Sequence, residues 1–206
     1  RNSSPDMFKW LTQGILDSGC NVLNIGIVPS PVLYFATHEL DCSNGVIITG
    51  SHNPSEYNGF KIIIDGKSLM SEEIQGIKSM IETDNFTKGI GELTDISILK
   101  QYQERIIDGI NLKRPLKIGI DCGNGAGSVH AKETFKKLGC EVSDLYCELD
   151  GNFPNHHPDP SRPENLKDLI DLVLNLNLDI GLAFDGDADR LGVISNTGKI
   201  IYPDMQ

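Results

Sequence analysis

Asp185, Asp187 and Asp189 occupy alternate positions of the run Asp185-Gly186-Asp187-Ala188-Asp189-Arg190, directly after the apolar stretch Ile180 to Phe184. Carboxylates spaced in this way across a glycine-containing turn can converge on one side, where their repulsion demands a cation. Oxygen-only donors separated by small residues suit Mg²⁺ better than zinc. A solvated acidic turn is the plain alternative, but three carboxylates behind a buried strand, followed by Arg190, weigh against it. A calcium-binding EF-hand loop does not fit, because it needs Gly at its sixth position and Glu at its twelfth, where this chain has Arg190 and Asn196.

A second constellation lies between the apolar runs Gly45 to Thr49 and Phe60 to Ile64: Gly50-Ser51-His52-Asn53-Pro54-Ser55-Glu56-Tyr57-Asn58-Gly59, with Lys61 just beyond. A plain strand connection needs only a few turn residues. Here a hydroxyl, Ser51, stands beside His52 and Asn53. Taken with the acidic turn, these residues supply the parts of metal-assisted phosphoryl transfer: an oxygen that can carry the group, a divalent ion and nearby cations. Two further runs carry weaker signals. Asp121-Cys122-Gly123-Asn124-Gly125-Ala126-Gly127-Ser128 lacks both the dinucleotide-binding spacing and the Lys-Ser/Thr pair of a P-loop, and reads as a tight, structural strand-to-helix turn, with direct phosphate binding the lesser alternative. Asp150 to Pro160 holds His156 and His157 in stiff, extended backbone, so the two imidazoles point apart and do not share a metal; a rigid crossover loop and a place at an active-site rim both remain open.

The elements that must position these groups follow from periodicity. Met7, Phe8, Leu11 and Ile15 share one face of a helix over 5–18, ended by Gly19. A strand is expected over 22–28, a helix after Pro29-Ser30-Pro31, strands over 45–49 and 60–64, and a helix over 71–82. The polar segment 83–94 reads as a linker. Beyond it come a helix over 96–110, strands over 116–121, 141–146 and 179–184, and helices over 129–138 and 164–176. A hairpin turns at Asn196-Thr197-Gly198-Lys199. Helices and strands alternate in both halves, which predicts an α/β protein of two consecutive domains, each a mixed sheet packed by helices.

Among 206 residues, 29 are acidic and 18 basic, a formal net charge of -11 that argues against broad attraction to nucleic acid or an anionic membrane. Any anionic substrate must then be captured by a local cluster of cations. No apolar stretch has the length of a membrane span. The five cysteines are far apart without a C-x-x-C pair, which suggests reduced thiols and a cytoplasmic protein.

With these residues in view, the chain resembles the α-D-phosphohexomutases, specifically the bacterial phosphomannomutase/phosphoglucomutase branch. Thr49-Gly50-Ser51-His52-Asn53-Pro54 is similar to that family's phosphoserine loop, and Tyr57-Asn58-Gly59-Phe60-Lys61 to its continuation. Asp185 to Arg190 resembles the metal loop, with Ala188 where many relatives have Gly. Arg1-Asn2-Ser3-Ser4 and Phe153 to Pro160 resemble further family segments. The resemblance implies an isomerase that interconverts hexose 1-phosphate and hexose 6-phosphate, of mannose or glucose, through a phosphoserine enzyme and a bound hexose 1,6-bisphosphate. It implies that Ser51 carries the phosphate and that this phosphate, with Asp185, Asp187 and Asp189, binds Mg²⁺. Lys61 would be the general base, with His52 and Arg190 assisting transfer.

Family members have four domains. The resemblance divides this chain into residues 1–94 of the first domain, truncated at its start, 95–199 of the second, and 200–206 entering the third. A fragment without the sugar-recognition and distal phosphate sites is expected to be inactive alone, and its parent is expected to be a monomer. Three rivals remain. A phosphoglucosamine mutase has the same fold but tends to continue its serine loop with D-N-G-I-K-F. A metal-dependent phosphatase of the haloacid-dehalogenase type would use an Asp nucleophile, and its pattern usually has Thr or Val where this chain has Asp189. A non-catalytic binding module would merely retain the motifs.

Overall fold

The computed structural model describes residues 1–206. In the first half, α1 (Ser4–Asp17) leads to β1 (Val22–Asn24), α2 (Ser30–Glu39), β2 (Gly45–Ile48), β3 (Phe60–Ile64), β4 (Lys67–Ser68) and α3 (Ser71–Glu82), followed by β5 (Leu93–Asp95) and α4 (Leu99–Gly109). The strand expected over 22–28 stops at Asn24, whose side-chain oxygen accepts the Gly26 amide at 3.0 Å while Gly26 takes a positive φ of 76°. That local turn removes the backbone from the ladder. β2, β3 and β4 form an antiparallel sheet, and β1 pairs in parallel with β5. Parallel and antiparallel pairing are thus divided between two sheets in this half.

The segment read as a linker is tied down. The amides of Gly89 and Gly91 donate to the carbonyls of Asp17 and Leu16 at 2.8 and 2.9 Å, and Leu93 stands opposite Val22 in the β1/β5 pair. Its polar composition hid this because the backbone, rather than an apolar face, makes the contacts. α2 is the most deeply buried helix of this half: Val32 and Ala36 pack with Val28 and Ile98, backed by Ile47 and Tyr102.

The second half runs β6 (Lys117–Asp121), α5 (Ala131–Lys137), β7 (Glu141–Leu145), α6 (Lys167–Leu176), β8 (Ile180–Phe184), β9 (Leu191–Ser195) and β10 (Ile200–Ile201). These strands form one mixed sheet in the order β10-β9-β8-β6-β7, with β7, β6 and β8 parallel and the β9/β10 edge antiparallel. Alternation along the strands divides the core. Ile118, Ile120, Leu182 and Val193 form one cluster with Ala131 of α5, while Ala183 and Ile194 join Leu169 and Val173 of α6. Two strand glycines let α6 approach closely, since a Cβ on Gly181 would lie 2.8 Å from Val173 Cγ2 and one on Gly119 3.0 Å from Leu169 Cδ1. Ile200 and Ile201, assigned from the resemblance to a further domain, hydrogen-bond to β9 as the edge of this sheet.

No helix is long and apolar enough to cross a membrane. The chain runs from β6 out to β7 and then across to β8 on the other side of β6, so the strand order reverses at β6, and the carboxyl ends of β6 and β8 are the place where ligands bind in open α/β sheets.

α4 also docks on α5. Gln103 donates to Thr134 Oγ1 at 3.1 Å, and Tyr102 meets the His130 ring edge-on with centroids 5.5 Å apart. Burial pushes the His130 pKa down to about 4. The unfolded chain, with an ordinary imidazole near pH 6.5, therefore takes up this proton first as pH falls. The contribution of a neutral His130 is complete above about pH 6.5 and erodes from there toward pH 4, by at most ~1.4 kcal/mol per pH unit. Urea midpoints of the chain and of His130→Gln, compared at pH 7.5, 5.5 and 4.5, are expected to converge in the acid range. Parallel pH profiles would contradict this.

Candidate active site

Ser51 follows β2 with a positive φ of 47°, a conformation that a non-glycine residue adopts only when its surroundings hold it there. Those surroundings are identifiable. The Ser51 amide donates to Thr49 Oγ1 at 2.8 Å, and the Arg1 guanidinium donates to the carbonyls of Ser51, Asn53, Pro54 and Tyr57 at 2.5 to 2.9 Å. Asn58 anchors the far side by donating to Ser3 Oγ and Ser4 Oγ at 3.1 and 2.9 Å. The loop is thus shaped by Arg1, Ser3 and Ser4. Arg1 also lies over the Phe153 ring at 5.3 Å, joining the serine loop to the proline-rich crossover.

The acidic run occupies the β8/β9 connection, at the carboxyl end of β8. Ligand oxygens of Asp185, Asp187 and Asp189 lie within 4.8 Å of one another. The two halves meet here: Ser51 Oγ donates to Asp185 Oδ2 at 3.2 Å and lies 3.3 Å from His52 Nδ1, while the Ser30 amide donates to the Asp187 carbonyl at 2.9 Å. Asp185 Oδ1 accepts the amides of Asp189 and Arg190 at 3.0 and 3.1 Å, which turns the loop back on itself.

Burial, reinforced by the charges of Asp187 and Asp189, pushes the Asp185 pKa up to about 6. For Asp187, burial acts in the same direction but is outweighed. Its Oδ2 accepts from Lys61 Nζ at 2.6 Å, Ser30 Oγ at 2.6 Å and Thr49 Oγ1 at 3.1 Å, and its pKa falls below the usual carboxylate range. The other oxygen, Asp187 Oδ1, is buried without a partner. An orphaned carboxylate oxygen among three converging acids fits a hard divalent cation, and these three residues are the ones that could hold it.

Lys61 Nζ bridges Asp187 and Asp189 at 2.6 Å each. Burial alone would lower its pKa; the two carboxylates outweigh burial and raise it. The lowered pKa expected of a proton-accepting lysine is therefore not what this arrangement produces. Lys61 must leave these oxygens before it can take a proton, and a cation bound to the carboxylates would compete with it for them. Arg190 is half-exposed at the margin, its Nε 4.0 Å from Asp189 Oδ1. The structure brings together Ser51, His52, Lys61 and the three aspartates and leaves the Arg190 side chain outside.

Behind the acidic run, the glycine-rich turn is a buttress. Ala126 donates its amide to the Gly186 carbonyl at 2.9 Å, and a Cβ on Gly125 would meet that oxygen at 2.7 Å. Asp121, fully buried, accepts the Gly123 amide at 2.8 Å and pairs with His156 Nε2 at 2.9 Å. His157 faces elsewhere: with His52, Asn53, Asp159, Arg162 and Glu164 it lines a polar hollow of 430 Å³ beside the serine loop. The two imidazoles part, one buttressing Asp121 and one at the rim, although the run is not the extended backbone expected: it bends at His156, and Phe153 takes a positive φ of 51°.

Sequence reasoning did not single out Ser30 or Thr49 as site residues, and it met Arg1 only through the resemblance. Ser30 carries no local signal, since Pro29-Ser30-Pro31 reads as a helix start and nothing more. Ala188 takes a positive φ of 57°, which costs an L residue ~1–2 kcal/mol, partly offset by the smaller unfolded-state entropy of alanine. Ala188→Gly is expected to raise the unfolding free energy by up to about 1 kcal/mol, read from urea denaturation; a lower midpoint would show that the left-handed turn is unstrained.

Two family descriptions match this chain: phosphoglucomutase/phosphomannomutase, alpha/beta/alpha domain I, over residues 1–88, and alpha/beta/alpha domain II, over residues 100–198. A phosphomannomutase/phosphoglucomutase of Pseudomonas aeruginosa is 52% identical over 204 residues, covering 99% of this chain and 44% of the relative. A phosphoglucomutase of Neisseria gonorrhoeae is 50% identical, covering 100% and 45%. A crystal structure of a phosphoglucomutase/phosphomannomutase family protein from Burkholderia thailandensis superposes with a TM-score of 0.94 at 44% identity, over 97% of this chain and 45% of that one. The chain thus spans less than half the length of these relatives. With two consecutive domain matches in the family's order and a serine loop facing an acidic loop, this chain belongs to the phosphoglucomutase/phosphomannomutase family.

Proposed function

We propose that the whole protein interconverts hexose 1-phosphate and hexose 6-phosphate, of mannose, glucose or both, with Ser51 as phosphate carrier. The observation that carries this reading is the approach of Ser51 Oγ to Asp185 Oδ2, 3.2 Å across 134 residues of chain, at the mouth of the three-carboxylate cluster. Ser51 gives up its phosphoryl group to a sugar hydroxyl; the hexose 1,6-bisphosphate turns over and returns the other phosphate to Ser51. Asp185, Asp187, Asp189 and the Ser51 phosphate would hold Mg²⁺, which when bound supplies positive charge against the phosphoryl oxygens.

Lys61, once free of Asp187 and Asp189, accepts the proton of the attacking hydroxyl and returns it in the reverse step. His52, 3.3 Å from Ser51 Oγ, donates a hydrogen bond to the transferring group. Arg190 is drawn in from the margin by the substrate's negative charge. The hollow beside the loop, lined by Pro54 and seven polar or charged residues, offers hydrogen-bonding groups that a sugar phosphate could use.

The domain division at 94 and 199 is part of the same proposal, with Asp95 kept in the first unit because β5 pairs with β1 through it, and with Ile200 and Ile201 moved into the second. Because the reading concerns the whole protein, the 206-residue chain alone is expected to turn over neither sugar. The experiment incubates the whole protein with Mg²⁺ and glucose 1-phosphate or mannose 1-phosphate and maps phosphate by peptide mass spectrometry. Acid-stable phosphoserine at Ser51 together with 6-phosphate product is the expected result. A labile acyl phosphate on Asp185 with release of inorganic phosphate would replace this reading with a phosphatase.

A further inference from the structure

Cys122 and Cys147 take no part in the site above. β6 and β7 run in parallel with Asp121 opposite Leu145, and each chain then passes directly to its cysteine, through Tyr146 in the case of β7. The Cys122 amide donates to the Leu145 carbonyl at 3.2 Å, which holds the two strand ends together. Both cysteines are free thiols, and their sulfurs lie 3.0 Å apart. Non-bonded sulfurs seldom approach so closely, and about one ångström separates this contact from the ~2.0 Å of a disulfide bond.

The pair is asymmetric. Cys122 is fully buried, whereas Cys147 is partly exposed. The hydrogen bond with Cys122 outweighs burial and the charges of Asp144 and Asp121, so the Cys147 thiol lies below its ordinary pKa; the same bond and burial push Cys122 up. Lys132 lies at the same end of the sheet but is paired with Asp144 at 2.8 Å, so the asymmetry rests on the contact between the two sulfurs and on their unequal burial. One sulfur is therefore suited to attack an external reagent and the other to wait behind it.

We propose that Cys122 and Cys147 are a redox-active pair that closes to an intramolecular disulfide in the presence of a low-molecular-weight disulfide, clamping the glycine-rich turn to the end of β7. The Cys147 thiolate bonds to one sulfur of the small disulfide, whose S–S bond breaks and releases the first thiolate. Cys122 then bonds to Cys147 Sγ, the mixed disulfide breaks, and the departing thiolate takes the Cys122 proton. The two cysteines are oxidised by two electrons, and one small disulfide is reduced to two thiols. The clamped turn is the one whose Ala126 amide holds the Gly186 carbonyl and whose Gly125 lies against Gly186. Oxidation thus reaches the back of the carboxylate loop without touching a carboxylate.

The test is independent of the mutase reading. The chain is equilibrated with glutathione mixtures from fully reduced to fully oxidised, quenched by alkylation and mapped by peptide mass spectrometry. The expected result is a Cys122–Cys147 cross-link with loss of about 2 Da, reversed by dithiothreitol and accompanied by a higher urea midpoint. A Cys20→Ser/Cys42→Ser background, which removes the two exposed thiols, should form the same link. Cys122→Ser should trap glutathione on Cys147, and Cys147→Ser should leave Cys122 unmodified. Absence of the link at every glutathione ratio in the native chain, or its appearance only in denaturant, would overturn the proposal and leave the contact a thiol hydrogen bond.

Discussion

Ser51→Ala in the whole protein is expected to lower interconversion of hexose 1- and 6-phosphates by about 10³-fold or more, the scale seen when a nucleophile that acts with its partners is removed. The backbone reason for so clean an effect is that Ser51 is held without help from its own hydroxyl. Its amide is fixed by Thr49 Oγ1 and its carbonyl by Arg1 at 2.8 Å, so alanine inherits the same conformation and loses only Oγ. Stability should then fall by about 1–3 kcal/mol, because the buried Asp185 Oδ2 loses the hydroxyl that donates to it. Thr49 does not offer a substitute, since its hydroxyl donates to Asp187. Turnover above a tenth of the parent's, with the loop intact by urea denaturation, would exclude Ser51 as the carrier.

Gly186→Ala is expected to be the most damaging single methyl group in the site. Gly186 lies between two of the carboxylates, and a Cβ there would run into the Ser51 carbonyl oxygen and lie 3.5 Å from Pro158 Cγ. The obstacle is backbone, fixed by Arg1, so the two loops must part. Overpacking of this kind costs ~1–3 kcal/mol, and separating Ser51 from Asp185 by an ångström is expected to cost about 10²-fold in turnover of the whole protein. Gly14→Ala provides the opposite sign: it lies within α1 with nothing within 4 Å of its Cβ, so alanine should stabilise by ~0.5–1 kcal/mol. Paired urea curves separate the two, and a Gly186→Ala variant as stable and active as its parent would show that the close approach of the loops is dispensable.

The candidate site was unevenly legible. The three aspartates announce themselves because they stand at alternate positions of one turn. Lys61 was nameable because β3 returns antiparallel to β2, with Ile47 opposite Lys61, which brings it back beside the serine loop. Its pairing with Asp187 and Asp189 was not, and that pairing reverses the expected direction of its pKa. Ser30 and Thr49 reach Asp187 across 157 and 138 residues. No local pattern encodes either contact, because a hydroxyl in a loop is compatible with almost any partner.

By itself, the sequence determined the α/β class, the placement of most helices and strands, and the two loops of the candidate site, because periodicity and turn residues report on contacts within an element and its neighbours. Only the tertiary structure decided that residues 93–95 pair with β1, that Arg1 shapes the serine loop, that Arg190 stands aside, and that Cys122 meets Cys147. Each of these depends on how separate elements dock. Docking is set by the shape of buried faces and by backbone hydrogen bonds that any residue type can make, so it leaves no mark on the local order of the chain.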